Sequence, residues 1–304
     1  MVKIAYKIAW RYLFSKKQFN AIHIITRISA IAVGVVTAAM ICVLSVMNGF
    51  GTMVEQMFSQ FDPDLRITAK TGKSFYLSQQ QRDSILALPE VTLISESIEE
   101  TALVYFDEKQ MPVQLMGVDS NFASLTEINN IIIDGHYEVF DGAFDRAVLG
   151  QILAWKIGIG ARFIDGIQVY APKRHSKVNM LRPDANFNRE TCFIAGTFAV
   201  NQQKYDENFM LVDIDFTRRL LDYDSTEITA LMVATNSSIK QAKHAIKKVI
   251  GEGYNIYDRY EQQADFFRIL RVEKLLTGLL LMFILLIATF NSIGSLSMLI
   301  IDKK

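Results

Sequence analysis

The residues able to do chemistry are few and poorly grouped. "KTGKS" (70–74) ends like a phosphate-cradling loop. Such a loop needs a glycine five positions before Gly72, where Ile67 stands, and the following "FYLSQQ" gives no immediate helix. "GIGARFIDG" brings two close glycines without a strand–loop–helix setting for a nucleotide. No G-x-S-x-G elbow occurs, and no serine stands near a histidine and an acid in a readable pattern. His23, His136, His175 and His244 are scattered without metal-ligand spacing. Cys42 lies in an apolar run and Cys192 in the central region, so no disulfide framework is expected. The acidic stretches "FDPD" and "DYDSTE" read as solvated turns. These residues predict neither a catalytic set nor a metal site, and they leave binding and mechanical roles in view.

The elements that flank this region are more informative. Ile28 to Phe50, "ISAIAVGVVTAAMICVLSVMNGF", carries no charge, and neither does Leu275 to Ile301, "LLTGLLLMFILLIATFNSIGSLSMLII". About 20 apolar helical residues span a bilayer, so both runs are long enough to cross it. Two buried core helices are the competing reading, but soluble helices of this length carry a polar face. A signal peptide fits poorly, because the leader before the first run is long and "VMNGFGTMVEQM" is too bulky for a cleavage site. Residues 1–54 hold Lys3, Lys7, Arg11, Lys16, Lys17 and Arg27 with no acid before Glu55, although the whole chain balances 32 basic against 32 acidic residues. Positive charge stays cytoplasmic, which places the N-terminus inside, and a second crossing returns Lys303 and Lys304 to the same side. The neutral total argues against a nucleic-acid protein.

The expected organisation is a basic amphipathic helix on the inner membrane surface over 1–20, membrane helices over 21–50 and 271–301, an external domain over 51–270, and the start of a cytoplasmic segment at 302–304. Ala30, Gly34, Ala38 and Cys42 recur at i+4, a row that lets another helix approach closely. The first helix is expected to run on to a stop before Pro63. Within the external domain "LRITA", "ETALVYF", "MPVQLMGVD", "IQVYAP", "CFIAGTFAV", "NFMLVD", "EITALMVAT" and "YNIYD" read as strands. "SQQQRDSILALP" opens with a Ser78/Gln81 capping box, and "LGQILAWKIGIG" is a helix ending on glycine. A polar segment, Lys173 to Glu190, separates two of the strands. The fold class is therefore an α+β membrane protein: two long transmembrane helices bracket a mixed α/β domain of two subdomains.

"VLSVMNGFGTMVEQMF" resembles the outer end of the first helix in lipoprotein-releasing (LolC/LolE-type) ABC permeases, and "FNSIGSLSMLIIDKK" the inner end of their second. Between them "PVQLMGVD", "AVLGQILAWKIGIGAR" and "FIAGTFAVNQQKYDENFMLVDI" resemble consecutive segments of the MacB-like periplasmic core domain. The resemblance covers essentially the whole chain. It implies a non-catalytic permease subunit in the inner membrane of a Gram-negative bacterium, with residues 51–270 periplasmic. It implies pairing with a second permease subunit and a cytoplasmic ABC ATPase that binds the ATP, so no cofactor is expected on this chain. Cargo would be a lipoprotein, handed to a soluble periplasmic carrier. A MacB-like efflux permease, an FtsX-like regulator of wall hydrolases, and a two-helix receptor or scaffold are the alternatives.

Family members that dock a carrier use a loop between two strands, and the matching position here is the 173–190 segment, with Met180, Leu181, Arg182 and Pro183 as its tip. An ordinary surface loop is the competing reading. The family's lipoprotein cavity maps onto Met40, Val43, Met47 and Phe50 of the first helix and onto Phe283, Ile287 and Phe290 of the second. These are apolar, adaptable side chains suited to acyl chains, though lipid exposure explains them equally well. Past the "DK" the family continues with a coupling helix and two further membrane helices, so the sequence is expected to be a fragment, a truncated gene model or half of a split permease.

Overall fold

The structure, a computed structural model, describes residues 21–59, 61–161, 164–174, 180–236 and 238–301, together with Ile4 and Lys7. The expected surface helix over 1–20 lies outside the described residues apart from those two, as do residues 302–304. The chain divides into two units, one formed by residues 1–54 and 265–304, the other by Glu55–Ala264.

In the first unit, α1 covers Ala21–Ser59. The last helix covers Ala264–Ile301. Membrane-length apolar windows run over Arg27–Met53 and Ala264–Gly294. Thr37, Thr289 and Ser292 inside them bond their own helix, donating to Val33 O at 2.8 Å, Leu285 O at 2.8 Å and Ala288 O at 3.0 Å. In hydrocarbon, which offers no water, that satisfies them locally. Lys274 Nζ donates to Asn48 Oδ1 at 2.6 Å, joining the two helices.

The second unit is built on β1 (Leu65–Ala69), β2 (Phe75–Tyr76), β3 (Val91–Phe106), β4 (Lys109–Val118), β5 (Ile132–Gly135), β6 (Arg146–Gly150), β7 (Ile167–Pro172), β8 (Phe187–Phe198), β9 (Phe209–Asp213), β10 (Glu227–Ile228), β11 (Ala230–Thr235) and β12 (Tyr254–Asp258). One sheet runs in the order β12-β1-β11-β3-β4-β9-β6-β8-β5, with β7 bonded to both β3 and β8, and β2 pairs β10 apart from it. Two halves result. In the open half β12, β1, β11 and the first part of β3 (Val91–Ser97) are antiparallel neighbours. In the other half β3, β4, β9, β6, β8 and β7 bond in sequence and β7 returns to β3 through Leu103↔Tyr170, which closes a small barrel. β3 belongs to both.

β3 also corrects the sequence reading, in which its strand starts only at "ETALVYF". The preceding "SESIE" breaks hydrophobic alternation, yet Ser95, Glu96 and Ser97 are buried. Each has partners that substitute for water. Ser95 Oγ donates to Asp119 Oδ1 at 2.5 Å, Glu96 takes Arg82 and Arg218, and Ser97 Oγ donates to Ala230 O at 3.3 Å.

Helices cover each half, and the short α3 (Phe122–Leu125) and α5 (Gln203–Asn208) lie between the longer ones in the chain. α2 (Gln79–Leu86) starts on the Ser78/Gln81 capping box. It packs against α7 (Ile239–Ile250) on the open half. On the barrel lies α6 (Ile214–Leu221), which buries Ile214, Phe216, Leu220 and Leu221. Its approach to β4 requires a glycine: a Cβ on Gly117 would sit 2.3 Å from Thr217 Oγ1. α4 (Gln151–Ile157) ends at Gly158 with φ 90°, the left-handed cap that glycine takes without strain. The β3–β4 turn is closed by Asp107 and Glu108, both at positive φ, the two-residue hairpin geometry that follows strand twist. Leu149, Leu115, Val169, Cys192, Met210 and Leu231 join one continuous core through both halves.

Candidate functional site

The β7–β8 connection is the first feature with binding character. The ladder holds Ala171↔Asn188 and Pro172↔Phe187 in register. Lys173 N donates to Asn186 O at 2.8 Å beyond it. The polar segment is thus shorter than its composition implies: Phe187–Glu190 is strand, because β7 supplies its backbone partners. Met180 is 90 % exposed and Leu181 94 % exposed. Arg182 is exposed as well, and Pro183 opens a single 3-10 turn over Pro183–Asn186, where its fixed φ suits the first position. Both are large apolar side chains left largely exposed, where burial is the commoner place for such residues.

The base of this connection is fastened to the domain. The Arg174 guanidinium donates to Glu227 Oε2 at 2.8 Å and Oε1 at 2.6 Å, and to Ser74 Oγ at 3.1 Å. It lies 4.3 Å over the Tyr223 ring. Those hydrogen bonds from Arg174 hold the Glu227 carboxyl below the ordinary carboxylate value. In "DYDSTE" Asp222, Asp224, Ser225 and Thr226 are exposed as expected of a solvated turn, and only Glu227 departs from it, buried against an arginine supplied from another part of the chain.

"FDPD" is corrected in the same way. Asp62 is 6 % exposed. Tyr205 OH donates to its Oδ1 at 2.6 Å, and Gln263 Nε2 to its Oδ2 at 2.8 Å. Gln263 Nε2 also reaches Tyr205 OH at 2.6 Å. Burial pushes the Asp62 carboxyl up, opposed by these two hydrogen bonds. Burial and the neighbouring Asp62 push the Tyr205 phenol up, so it remains a donor. Asp64, the other acid of this turn, takes Thr235 N at 2.8 Å and Arg259 at 3.0 Å. The cluster borders a cavity of about 310 Å³ lined by Arg66, Glu99, Met116, Lys204 and Phe209 among others. Asp62 stands a few residues after α1, and Gln263 immediately before the last helix, so the site lies where the chain enters and leaves the second unit.

In the membrane helices, Phe50, Phe283, Ile287 and Phe290 are exposed, Val43 lies at the edge of exposure, and Met40 and Met47 are half-buried. Ala30, Gly34 and Ala38 are exposed, and a Cβ on Gly34 would meet no atom within 4 Å. The row thus presents a smooth surface. Neither the Arg174–Glu227 pair nor the Asp62–Tyr205–Gln263 group is visible in the sequence, since their members stand 53, 143 and 201 residues apart.

The family model described as MacB-like periplasmic core domain matches residues 26–249. The lipoprotein-releasing system transmembrane protein LolC of Buchnera aphidicola subsp. Schizaphis graminum is 24 % identical over 297 residues, covering 98 % of this chain and 72 % of that protein. LolE of Haemophilus influenzae, under the same descriptive name, is 20 % identical, covering 98 % and 71 %. Among solved structures, the periplasmic region of MacB from Actinobacillus actinomycetemcomitans superposes with a TM-score of 0.46 at 8 % identity, covering 66 % of this chain and 91 % of that one. The extracellular domain of the ABC-type transporter YknZ from Gram-positive bacteria gives a TM-score of 0.45 at 12 % identity, covering 64 % and 99 %.

Proposed function

The chain belongs to the MacB-like periplasmic core domain family and is an ABC transporter permease subunit, and from that premise we propose that it extracts lipoproteins from the inner membrane and passes them to a soluble periplasmic carrier. In this reading the helices Ala21–Ser59 and Ala264–Ile301 cross the bacterial inner membrane, the second unit stands in the periplasm, and both chain ends face the cytoplasm. A separate ATPase hydrolyses ATP, and a second permease subunit completes the path. Cargo acyl chains lie against Met40, Val43, Met47, Phe50, Phe283, Ile287 and Phe290, and Ala30, Gly34 and Ala38 form a face for helix packing.

The observation that carries the reading is the strand connection with Met180 and Leu181 presented to water, in a chain alignable along nearly its whole length with lipoprotein-releasing proteins. A pair of unbranched or γ-branched side chains beside a proline-started turn suits insertion into an apolar pocket of a partner. Photo-crosslinking tests it. A benzophenone side chain at Met180, in membranes that also hold the ATPase and the lipoprotein, is expected to form an adduct with the recombinant soluble carrier. The adduct disappears when Leu181 is changed to aspartate. A folded protein that gives no adduct with the carrier refutes the docking role. Adducts with an outer-membrane duct or a wall hydrolase instead would assign the chain to efflux or to hydrolase regulation.

A further inference from the structure

Both legs of the β7–β8 connection are fastened to one turn of the domain. On the outgoing leg, Arg174 places its fork on Glu227 and reaches Ser74, while its plane covers Tyr223. On the returning leg, Asn188 Nδ2 donates to Leu220 O at 3.0 Å and to Asp222 Oδ2 at 2.9 Å. Leu220, Asp222, Tyr223 and Glu227 form the end of α6 and the turn into β10. The two legs therefore grip the same seven-residue stretch, residues 221–227 with the carbonyl before it.

The strand ladder does not explain these contacts. β7 pairs with β3 only through Gln168, Val169 and Tyr170. Past Tyr170 the two strands pair only with each other; Ala171 is still buried in the core, and from Pro172 outward the pair is a two-stranded ribbon, which twists and bends easily. Backbone pairing as far as Lys173 N to Asn186 O holds the legs to each other and says nothing of where the ribbon points. Orientation needs contacts to the domain, and Arg174 and Asn188 make them. The guanidinium is suited to this because a bidentate pair fixes an angle as well as a distance. Glu227 is suited because it is buried in β10 and its carboxylate has no freedom to follow a moving loop.

We propose that Arg174 and Asn188 are positioning residues that set the direction in which the connection presents Met180 and Leu181 to a soluble partner. This rests on the docking role assigned above, and the two ideas are separated by measuring direction and docking independently. In the full chain with Cys42→Ser, nitroxides are attached after Leu181→Cys and Lys248→Cys, the latter exposed on α7. Electron–electron double resonance reads the distance distribution between them. The native chain is expected to give one narrow distribution. R174Q broadens or displaces it, N188A does so less, and R174K, which keeps the charge but loses the fork, lies between. Adduct formation from Met180 with the recombinant soluble carrier is expected to fall about tenfold in R174Q, because the freed loop must be ordered on binding.

A distribution unchanged in both R174Q and N188A overturns the proposal. Broadening with adduct formation at the native level overturns the link between direction and docking. Broadening when even the native chain gives no adduct supports the positioning role and refutes the docking role instead. Should R174Q fail to fold, E227Q serves in its place: it preserves the shape of the buried partner while removing the charge that the fork holds, and it carries the same expectation.

Discussion

Replacing Tyr205 by phenylalanine removes one oxygen from the cluster where the chain enters and leaves the second unit. That oxygen donates to Asp62 at 2.6 Å and lies 2.6 Å from Gln263 Nε2. The ring itself, tilted 4.6 Å from Phe61 and edge-on 5.0 Å from Phe209, is kept, so packing changes little. Where Asp62 is ionised, loss of this buried hydrogen bond costs about 1.5–3 kcal/mol. In a domain of this size 1 kcal/mol moves the melting temperature by roughly 2–4 °C, which makes the expected fall about 3–12 °C. The pH dependence discriminates further. Asp62 already has a folded pKa raised above its unfolded value, so its contribution to stability is greatest in acid and declines as pH rises through the carboxylate range. Tyr205 opposes that rise, and without it the folded pKa climbs higher. The deficit of the variant is therefore small in acid and grows toward neutral pH. Thermal unfolding of the detergent-solubilised chain, followed by near-ultraviolet circular dichroism from pH 4 upward, measures it. A deficit that stays constant with pH, or that remains below about 0.5 kcal/mol throughout, would refute the assignment of Tyr205 as donor to an ionised Asp62.

Gly117→Ala drives a methyl group into Thr217 and is expected to destabilise the barrel by about 1–3 kcal/mol; adding Thr217→Ala should recover part of the loss in the same unfolding assay. Ser78→Ala removes the α2 capping box at a cost of about 1 kcal/mol, readable as faster amide exchange in Gln79–Leu86. Gly34→Leu fills the smooth row on α1 and should weaken association of permease subunits in detergent, as sedimentation velocity would report; an unchanged oligomer would exclude that face from packing. A photoreactive side chain at Phe290 should label the acyl part of the cargo, whereas labelling of bulk phospholipid alone would leave the proposed cavity unsupported.

What could be read from the sequence was local. Ser78 and Gln81 stand three apart and cap one helix, Gly158 ends another, and the strands "LRITA" and "IQVYAP" match β1 and β7 residue for residue. The apolar runs needed only length and the absence of charge. What escaped depends on distant partners. Glu96 reads as surface until Arg82 and Arg218 arrive from two other helices, and with it hidden the first nine residues of β3 lose their strand signature. Asp62 and Glu227 sit in stretches rich in turn formers and acids, where solvation is the reasonable expectation. Only the fold brings a phenol and an amide to one and a guanidinium to the other. The tip residues Met180 to Pro183 are placed by resemblance, and the exposure of Met180, Leu181 and Arg182 adds an observation that no periodicity supplied.

The sixteen residues of β3 give the domain a property beyond its architecture. One strand is at once the border of an open sheet and a stave of a closed barrel, so cutting the unit between its halves would strand a naked edge on one piece and leave a gap in the wall of the other. Neither half can be borrowed, permuted out or unravelled alone without exposing that seam. Recombination among transporters of this kind should therefore exchange the second unit whole, with crossovers confined to the two long helices that flank it.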